Sequence, residues 1–152
     1  MAIALGANLG DRRANLEYAV QRLSVILRGV RVSTFIESEP VEVSEPQPSY
    51  LNGVLVGMTA LSPHALLDEL MAIERAGGRE RRSHHAARTL DLDLILYGDR
   101  IIREPDLEVP HPRFRDRAFV LGPLKEIAAE LVDPVTGKSI ADLPEASNPA
   151  AT

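Results

Sequence analysis

Two aspartates interrupt an otherwise apolar segment, "RTLDLDLILYG", which runs from Arg88 to Gly98. Side chains alternate along a strand, so Asp91 and Asp93 share one face, on the same side as Ile95 and Tyr97. The leucines between them face the other way, toward a core (Leu90, Leu92, Leu94, Leu96). Two carboxylates at this spacing lie about 6.6 Å apart along the strand. Their oxygens can flank one or two hard cations, and magnesium favours one or two carboxylates together with waters and substrate phosphates.

Basic side chains surround this acid pair in sequence. Planar guanidinium forks suit phosphate oxygens, so the combination indicates a site for a metal ion and a phosphate chain, where positioning and charge stabilisation supply most of the catalysis. Two alternatives need no ligand: the acids lie on a strand face exposed to solvent, or they form ion pairs with the arginines in a purely structural role. A P-loop enzyme is excluded because no GxxxxGK[ST] occurs. The basic residues precede the acids at Arg79, Arg81, Arg82 and Arg88, and follow them at His111, Arg113, Arg115 and Arg117.

The amino-acid composition limits the classes of protein to which the chain can belong. The chain has 152 residues, 45% of them hydrophobic and 26% charged, which predicts one globular domain. A net charge of -5 argues weakly against a nucleic-acid partner. The absence of cysteine excludes disulfides, thiolate nucleophiles and zinc sites that use Cys. No signal peptide and no membrane-length apolar stretch is apparent, so the cytoplasm is the expected location.

Hydrophobic periods then predict the elements of the first half. Met1 to Gly6 is a short apolar strand that ends at a Gly-rich turn, and a helix follows with one apolar face. That face carries Leu16, Val20, Leu23 and Leu27. From Val30 to Glu37 the sequence alternates as one half-buried strand. Ser38 to Ser49 concentrates proline and glutamate, which predicts a long loop of the kind that often has a function.

The second half repeats the pattern of strand, helix and strand. Tyr50 to Ala60 is a strand, and Ser62-Pro63 caps a helix that ends by Gly77 and carries an apolar stripe (Leu66, Leu70, Ile73). The basic stretch Arg79 to Arg88 is a second candidate mobile loop. This order predicts an α+β domain with a ferredoxin-like βαββαβ core, an antiparallel sheet with helices packed on it, and a C-terminal helical extension of one or two short helices. The expected domain is 1–142, and 143–152 is an expected flexible tail.

Four segments in this order carry a family resemblance: "GANLGD", "YLN", "RTLDLDLILYG" and "VPHPRFRDRAFVLGPLKEIA". Over about Ala4 to Pro134 the chain resembles the 6-hydroxymethyl-7,8-dihydropterin pyrophosphokinase family of folate biosynthesis. The resemblance implies transfer of the β,γ-pyrophosphoryl group of ATP to the hydroxymethyl oxygen of a reduced pterin. Two Mg2+ ions would bridge the triphosphate to Asp91 and Asp93. The implied partners are the two small molecules, without nucleic acid or membrane. The sequence leaves the oligomeric state open, with a monomer as the expectation.

The resemblance also implies roles for individual residues on the pterin side. Tyr50 and Asn52 match the pterin-binding Tyr-Leu-Asn segment, and Phe119 matches the aromatic that stacks on the pterin. A flat heterocycle is well held by an aromatic face and by an amide that donates and accepts. Asp91 lies beside the pterin as well, and backbone contacts are expected from the preceding loop through Ser38, Glu39 and Val41.

On the ATP side, Glu74 matches a nucleotide-contacting acid and Leu94 a position whose backbone meets the adenine. His111 and Arg117 match the triphosphate-binding pair, and Arg81 matches a further basic ATP contact. The catalytic residues implied are Arg79 and Arg88, from a loop that closes over ATP, and Asp93 as proton acceptor. Arg88 also contacts ATP. Taken singly, each arginine would be a solvated surface residue.

The chain departs from the family pattern at three places. "HHAA", from His84 to Ala87, replaces a Trp-containing segment, Glu42 stands where Gly is common, and Pro112 replaces a tyrosine of some relatives. Two rival functions remain open from sequence. One is a magnesium-dependent nuclease or phosphatase that uses the acid pair as a two-metal site. The other is a ferredoxin-like ligand-sensing or RNA-binding module without catalysis.

Overall fold

The computed structural model describes residues 1–39, 49–77 and 90–146. Four of the residues given a role by the family resemblance, Val41, Arg79, Arg81 and Arg88, lie outside the described residues. The helices and strands occur in this order: β1 Ala2–Ala7, α1 Arg12–Ile26, β2 Arg28–Val32, β3 Ile36–Ser38, β4 Tyr50–Met58, α2 Pro63–Gly77, β5 Asp91–Leu96, β6 Ile102–Glu104, β7 Leu107–Val109 and α3 Ala118–Ala128. Short 3-10 turns cover Phe114–Asp116 and Ile140–Asp142.

The main sheet has the order β2-β4-β1-β5, and β3 pairs with the same strand β4 further along. All pairings in it are antiparallel. The two central strands, β1 and β4, each belong to a unit of strand and helix, and each helix returns the chain to an edge of the sheet. This arrangement confirms the predicted ferredoxin-like α+β fold.

Helices cover both faces of the sheet. On one face, α1 and α2 bury their apolar stripes in a first core, to which Leu16, Leu23, Leu66 and Leu70 contribute with no exposed surface. On the other face, α3 packs in a second core with Leu121 and Leu124. Strand β1 is buried along its whole length because it lies between these two layers. The predicted helix faces are therefore confirmed.

Both predicted helix starts have side-chain caps. Asp11 Oδ1 accepts a hydrogen bond from the Ala14 N–H at 3.1 Å, and Ser62 Oγ accepts one from the Ala65 N–H at 3.2 Å. Each bond satisfies a donor in the first turn that has no partner within the helix. The first strand, however, does not stop at Gly6 as predicted but continues to Ala7. Gly6 is therefore part of the sheet and not of the turn.

The prediction of a single strand from Val30 to Glu37 is wrong, because the chain bends between β2 and β3. Ser33 still bonds to β4 by both its N–H and its hydroxyl, at Val54. Phe35 then turns over Gly53, where a Cβ would lie 2.6 Å from the ring. The absent side chain at Gly53 admits the ring, and β3 resumes beyond the bend.

The predicted alternation of β5 fails at its end. The register with β1 shifts between Ala2 and Ile3, since Ala2 lies opposite Leu96 but Ile3 lies opposite Leu94. One extra residue on β5, Ile95, fills this β-bulge and reverses the faces that follow. Leu96 therefore joins the second core with Ile95, and not the core of the other leucines. Tyr97 packs against the first core, so it does not share the face of the two aspartates.

The chain after β5 contains a hairpin that was not predicted, β6 with β7, and then a 3-10 turn that leads into α3. Leu143, within the segment expected to be a tail, is buried in the second core. Among the described residues, no helix is both long and apolar enough to cross a membrane.

Candidate active site

Small residues on the central strand form the floor of a pocket. In the sheet, Gly6 lies between Asn52 of β4 and Asp91 of β5, and Ala4 lies between Val54 and Asp93. Because Gly6 and Ala4 carry almost no side chain, the face of the sheet is depressed between the amide on one side and the acids on the other. The acid pair therefore opens onto a concave surface and not onto a flat solvated strand.

The walls of the pocket come from α3 and from the segment before it. Phe119 and Arg117 lie on this side, and Tyr50 and His111 border the opening. The pocket contains seven of the residues that the sequence predicted, from four separate parts of the chain. Its described lining is Ala4, Leu5, Gly6, Tyr50, Asn52, Asp91, Asp93, Ile95, His111, Arg117, Phe119 and Val120.

Glu74 at the end of α2 is the third carboxylate next to the acid pair. Its Oε2 accepts a hydrogen bond of 2.7 Å from the Leu92 N–H, on the outer edge of β5 between the two aspartates. Burial raises the pKa of Glu74 to about 7, and the neighbouring Asp91 and Asp93 raise it as well, against the lowering by the Leu92 N–H. The crowding of three carboxylates is relieved when a cation or a proton binds. Hard oxygen donors of this kind fit Mg2+.

Removal of the Glu74 charge gives a prediction for stability. The folded protein holds this proton up to about pH 7, whereas the unfolded chain releases it near 4.5. The free energy of unfolding therefore falls as pH rises through this window. Glu74→Gln imitates the protonated form and keeps an acceptor for Leu92. In EDTA at pH 8 we expect it to be more stable than the unmodified protein by on the order of 2 kcal/mol, and equal to it at pH 4.

Urea unfolding at both pH values measures this difference. Glu69→Gln is the control, because Glu69 is an exposed acid of the same helix. Contributions from titrating groups remote from Glu74 are common to the compared proteins and cancel, and the measured difference reports Glu74 together with its neighbours Asp91 and Asp93. A Glu74→Gln protein that is less stable than the unmodified one at pH 8 contradicts the assigned repulsion.

His111 is held in the neutral form at the pocket edge. Its backbone N–H donates to the Ile95 carbonyl at 2.9 Å, and its Nδ1 accepts from the Arg113 N–H at 3.2 Å. Burial, together with the nearby charges of Arg117 and Arg113, lowers the pKa of His111 to about 4 against an opposite effect of Asp91. With Nδ1 accepting, the single proton of the neutral ring is on Nε2. His111 therefore offers a hydrogen-bond donor that stays uncharged at pH 7.

Two of the three arginines just before α3, Arg115 and Arg117, have different tasks. The guanidinium of Arg117 lies 5.7 Å from the centroid of the Phe119 ring and lines the pocket. Arg115 instead donates two hydrogen bonds, of 2.6 and 2.9 Å, to the fully buried carboxylate of Asp133. The pairing with Arg115 helps to hold the pKa of Asp133 below its usual value despite burial, which acts in the opposite direction. Arg115 is thus a structural residue, and its predicted place among the phosphate neighbours is wrong.

Asn52 is fixed at the base of the pocket and is 2% exposed. Its Nδ2 donates to Ser38 Oγ at 2.7 Å and to the Ile36 carbonyl at 3.2 Å. These bonds orient Oδ1 toward Gly6, where a Cβ would lie 3.5 Å from it. The amide therefore presents an oriented acceptor at the pocket floor, supported by strand β3.

Residues 2–129 match the model of a protein family that is described as 7,8-dihydro-6-hydroxymethylpterin-pyrophosphokinase. The chain belongs to this family. A Synechocystis protein named 2-amino-4-hydroxy-6-hydroxymethyldihydropteridine pyrophosphokinase is 43% identical over 145 residues, covering 94% of this chain and 73% of that protein. The Haemophilus influenzae protein of the same name is 43% identical over 134 residues, covering 87% of this chain and 83% of that protein.

Some longer proteins match this chain over only one part of their length. A Pneumocystis carinii folic acid synthesis protein is 42% identical over 142 residues, and the match covers 91% of this chain but 19% of that protein. A solved Plasmodium falciparum HPPK-DHPS chain, crystallised with pterin and p-hydrobenzoate, superposes with a TM-score of 0.66 at 14% identity, over 93% of this chain and 43% of that one. That likeness supports the fold.

Some of the residues predicted for this pyrophosphokinase site lie next to the pocket and not in it. Ser38 supports Asn52, and Glu74 contacts the outer edge of β5. Leu94 is buried in the first core, and the alternation of the strand turns its backbone groups to the same outer edge as the Leu92 N–H. Glu39 is exposed.

Sequence reasoning missed the floor of the pocket, Ala4 and Gly6. Small residues at alternate positions of an apolar strand are a sequence signal for such a depression. It also missed Arg12, the first residue of α1, which bonds to Glu37 and Ser49.

Proposed function

We propose that this chain is a 6-hydroxymethyl-7,8-dihydropterin pyrophosphokinase that transfers the β,γ-pyrophosphoryl group of ATP to the hydroxymethyl oxygen of the reduced pterin. Family membership and the names of the single-activity relatives support this proposal. The observation that carries it is the pocket itself: one concave surface joins an amide and two aromatic side chains to a pair of strand-borne carboxylates. A group transfer between a flat heterocycle and a metal-bound phosphate chain needs both halves next to each other.

The pterin half is proposed to consist of Tyr50, Asn52 and Phe119, with Asp91 beside it. The rings of Tyr50 and Phe119 offer apolar faces for stacking, and the fixed Asn52 amide offers an acceptor to the N–H groups of the pterin. Further contacts are proposed from Ser38, Glu39 and Val41.

Phe119→Leu tests the stacking role. Leucine retains much of the packing in the second core but lacks a π face. Stacking of a base on an aromatic side chain contributes about 1–3 kcal/mol, so the Kd for the pterin should rise about 5- to 150-fold. Phe114→Leu is the control, since Phe114 is a fully buried core aromatic outside the pocket lining. Fluorescence titration should show a weaker pterin complex for Phe119→Leu and an unchanged one for Phe114→Leu. The reverse pattern contradicts the assignment.

The phosphate half is proposed to consist of Asp91, Asp93, His111 and Arg117. The two carboxylates would hold two Mg2+ ions, which supply charge stabilisation and lower the pKa of a bound hydroxyl. Among the residues that the structure describes, Arg117 is the cationic side chain that lines the pocket, and its fork suits phosphate oxygens. His111 donates from Nε2 without adding charge. Glu74, Leu94 and Arg81 are proposed further contacts to the nucleotide.

In the proposed step the hydroxymethyl oxygen attacks the β-phosphorus in line. The bond between that phosphorus and the oxygen bridging to the α-phosphate breaks, and AMP leaves with this oxygen. The hydroxyl proton passes to Asp93 and then to solvent. Arg79 and Arg88 are proposed to stabilise the transferring group. Arg88 is also proposed to contact ATP. Small-molecule substrates suffice for this reaction in a single chain, so we propose a cytoplasmic monomer without nucleic-acid or membrane partners.

Product analysis tests the function. The protein is incubated with Mg2+, ATP and 6-hydroxymethyl-7,8-dihydropterin, and AMP and the pterin diphosphate are quantified. We expect the two products in equal amounts, and no AMP without the pterin. A two-metal nuclease or phosphatase would release phosphate from esters without an acceptor alcohol. A binding module would give no product at all, and either result would reject the proposal.

A further inference from the structure

One guanidinium near the start of α1 joins two parts of the chain that lead into the pocket. Arg12 Nη1 donates to the Ser49 carbonyl at 2.8 Å and to Ser49 Oγ at 3.1 Å. Arg12 Nη2 donates to Glu37 Oε1 at 2.6 Å. Glu37 lies on β3 and Ser49 immediately precedes β4. The planar fork therefore fixes the separation of these two segments in a way that a single ammonium cannot.

Both segments continue directly into the residues of the pterin half. Ser49 is followed by Tyr50, at the first position of β4. Glu37 is followed by Ser38, which lies opposite Tyr50 in the β3–β4 ladder and whose hydroxyl accepts from Asn52 Nδ2. A shift of β3 relative to β4 would move the Ser38 hydroxyl away from the Asn52 amide. The contacts of Arg12 act against such a shift.

The next residue of α1, Arg13, contacts the chain two residues before Glu37. The Arg13 guanidinium lies over the Phe35 ring, 5.3 Å from its centroid, and that ring occupies the space above Gly53. The first turn of α1 thus contacts the bend before β3 through Arg13 and β3 itself through Arg12. Strand β3 has only three residues in the ladder. Such a short strand depends on contacts of this kind for its position.

We propose that Arg12 is a positioning residue for the pterin: by holding Glu37 and Ser49 together, it sets the register of Ser38 against Tyr50 and Asn52, which line the pocket. This proposal rests on the proposed function. The side chain of Glu37 is 61% exposed, and an exposed ion pair contributes little to global stability. The effect of Arg12 is therefore expected mainly in pterin binding, with a smaller effect on unfolding from the loss of its hydrogen bonds to Ser49.

Titration of the full-length chain tests the proposal. Binding of 6-hydroxymethylpterin is measured with Mg2+ and a non-hydrolysable ATP analogue present, and binding of the analogue is measured separately. For Arg12→Ala we expect the pterin Kd to rise about tenfold, while the analogue Kd changes less than about twofold. Arg12→Lys keeps the charge without the fork, so it should recover only part of the loss. Under turnover, the pterin KM should rise while kcat stays within about twofold.

Arg22→Ala is the matched control, because Arg22 is an exposed arginine of the same helix. It should leave both Kd values unchanged. A folded Arg12→Ala protein that binds the pterin as tightly as the unmodified protein would overturn the proposal, and so would equal losses of pterin and ATP-analogue affinity. If the unmodified protein does not bind the pterin, the proposed function fails and this inference fails with it. The first two outcomes leave the proposed function intact.

Discussion

The Asp93→Asn protein is expected to form AMP from ATP and the pterin at least about 10³-fold more slowly than the unmodified protein, because several kcal/mol of charge stabilisation is lost. Asparagine keeps nearly the volume of the side chain, but it removes the charge and replaces one carboxylate oxygen with an NH2 group. Asp93 is half-buried on β5, opposite Ala4, so its replacement leaves the packing of the pocket floor intact. The loss should appear in kcat, since the carboxylate is proposed to act on the reacting groups themselves.

The same variant carries an internal check. Repulsion by Asp93 helps to keep the pKa of Glu74 high, so Asp93→Asn should shift the titration of Glu74 toward its ordinary range. Asp99→Asn is the control, because Asp99 is an exposed acid just after β5. It should leave the rate unchanged. A loss of less than about tenfold for folded Asp93→Asn would rule out its proposed role in charge stabilisation.

Asn52→Leu is expected to weaken pterin binding by at least about 10²-fold, because a site built to hydrogen-bond its ligand loses far more than a methylene contact when that group is removed. Leucine has nearly the same shape and retains the filling of the pocket floor. The Ile36 carbonyl and Ser38 hydroxyl each lose a donor, which should also lower the free energy of unfolding by about 1–3 kcal/mol. The Kd for an ATP analogue should be unchanged within about twofold.

Titration of both ligands to the same protein separates specific from general loss. Asn15→Leu is the control, since the Asn15 amide donates to the Leu9 carbonyl at 3.0 Å on the protein surface. It removes an amide bond without touching the pocket. If Asn52→Leu binds the ATP analogue and the pterin equally poorly, the variant has lost its fold locally, and Asn52→Ala, which removes the same acceptor with a smaller side chain, is then the test of the pterin assignment. If neither variant weakens the pterin complex, the amide is not part of the site.

The alternation of apolar and polar residues in the sequence was sufficient to predict which residues share one face of a strand. The alternation that exposes Asp91 and Asp93 while burying Leu92 is a property of any strand, and so is the placement of Tyr50 and Asn52 on one side. The helix stripes followed for the same reason. The order of elements then constrained the sheet order, because ferredoxin-like connections leave few alternatives.

The features that the sequence did not predict depend on contacts between distant residues. The bulge at Ile95 results from pairing with β1, and the bend at Phe35 depends on space left by Gly53. Arg115 and Arg117 look equivalent in sequence, yet of the two it is Arg115 that pairs with the buried carboxylate of Asp133. The raised pKa of Glu74 requires that α2 end against the edge of β5. The spacing of apolar residues within one segment cannot predict such a contact between two elements.

Geometry also bears on the rival functions. Glu74 supplies the additional acid that a two-metal nuclease would need, but its carboxylate is engaged by the Leu92 N–H on the outer edge of the strand. The pocket side of the same strand faces an amide and aromatic rings, which suit an organic acceptor. An RNA-binding sheet would present a basic face with aromatics. The carboxylates of Asp91 and Asp93 on this face are unfavourable for a phosphate backbone without cations.

Manganese binding measures the central claim most directly, since Mn2+ replaces Mg2+ at oxygen sites and is detected by electron paramagnetic resonance. The protein is titrated with Mn2+ in the presence of a non-hydrolysable ATP analogue and the pterin. The unmodified protein is expected to hold two ions together with the nucleotide, and the Asp91→Asn, Asp93→Asn double variant is expected to lose both. A folded double variant that retains both ions at the same affinity would show that the strand-borne carboxylates do not hold the cations.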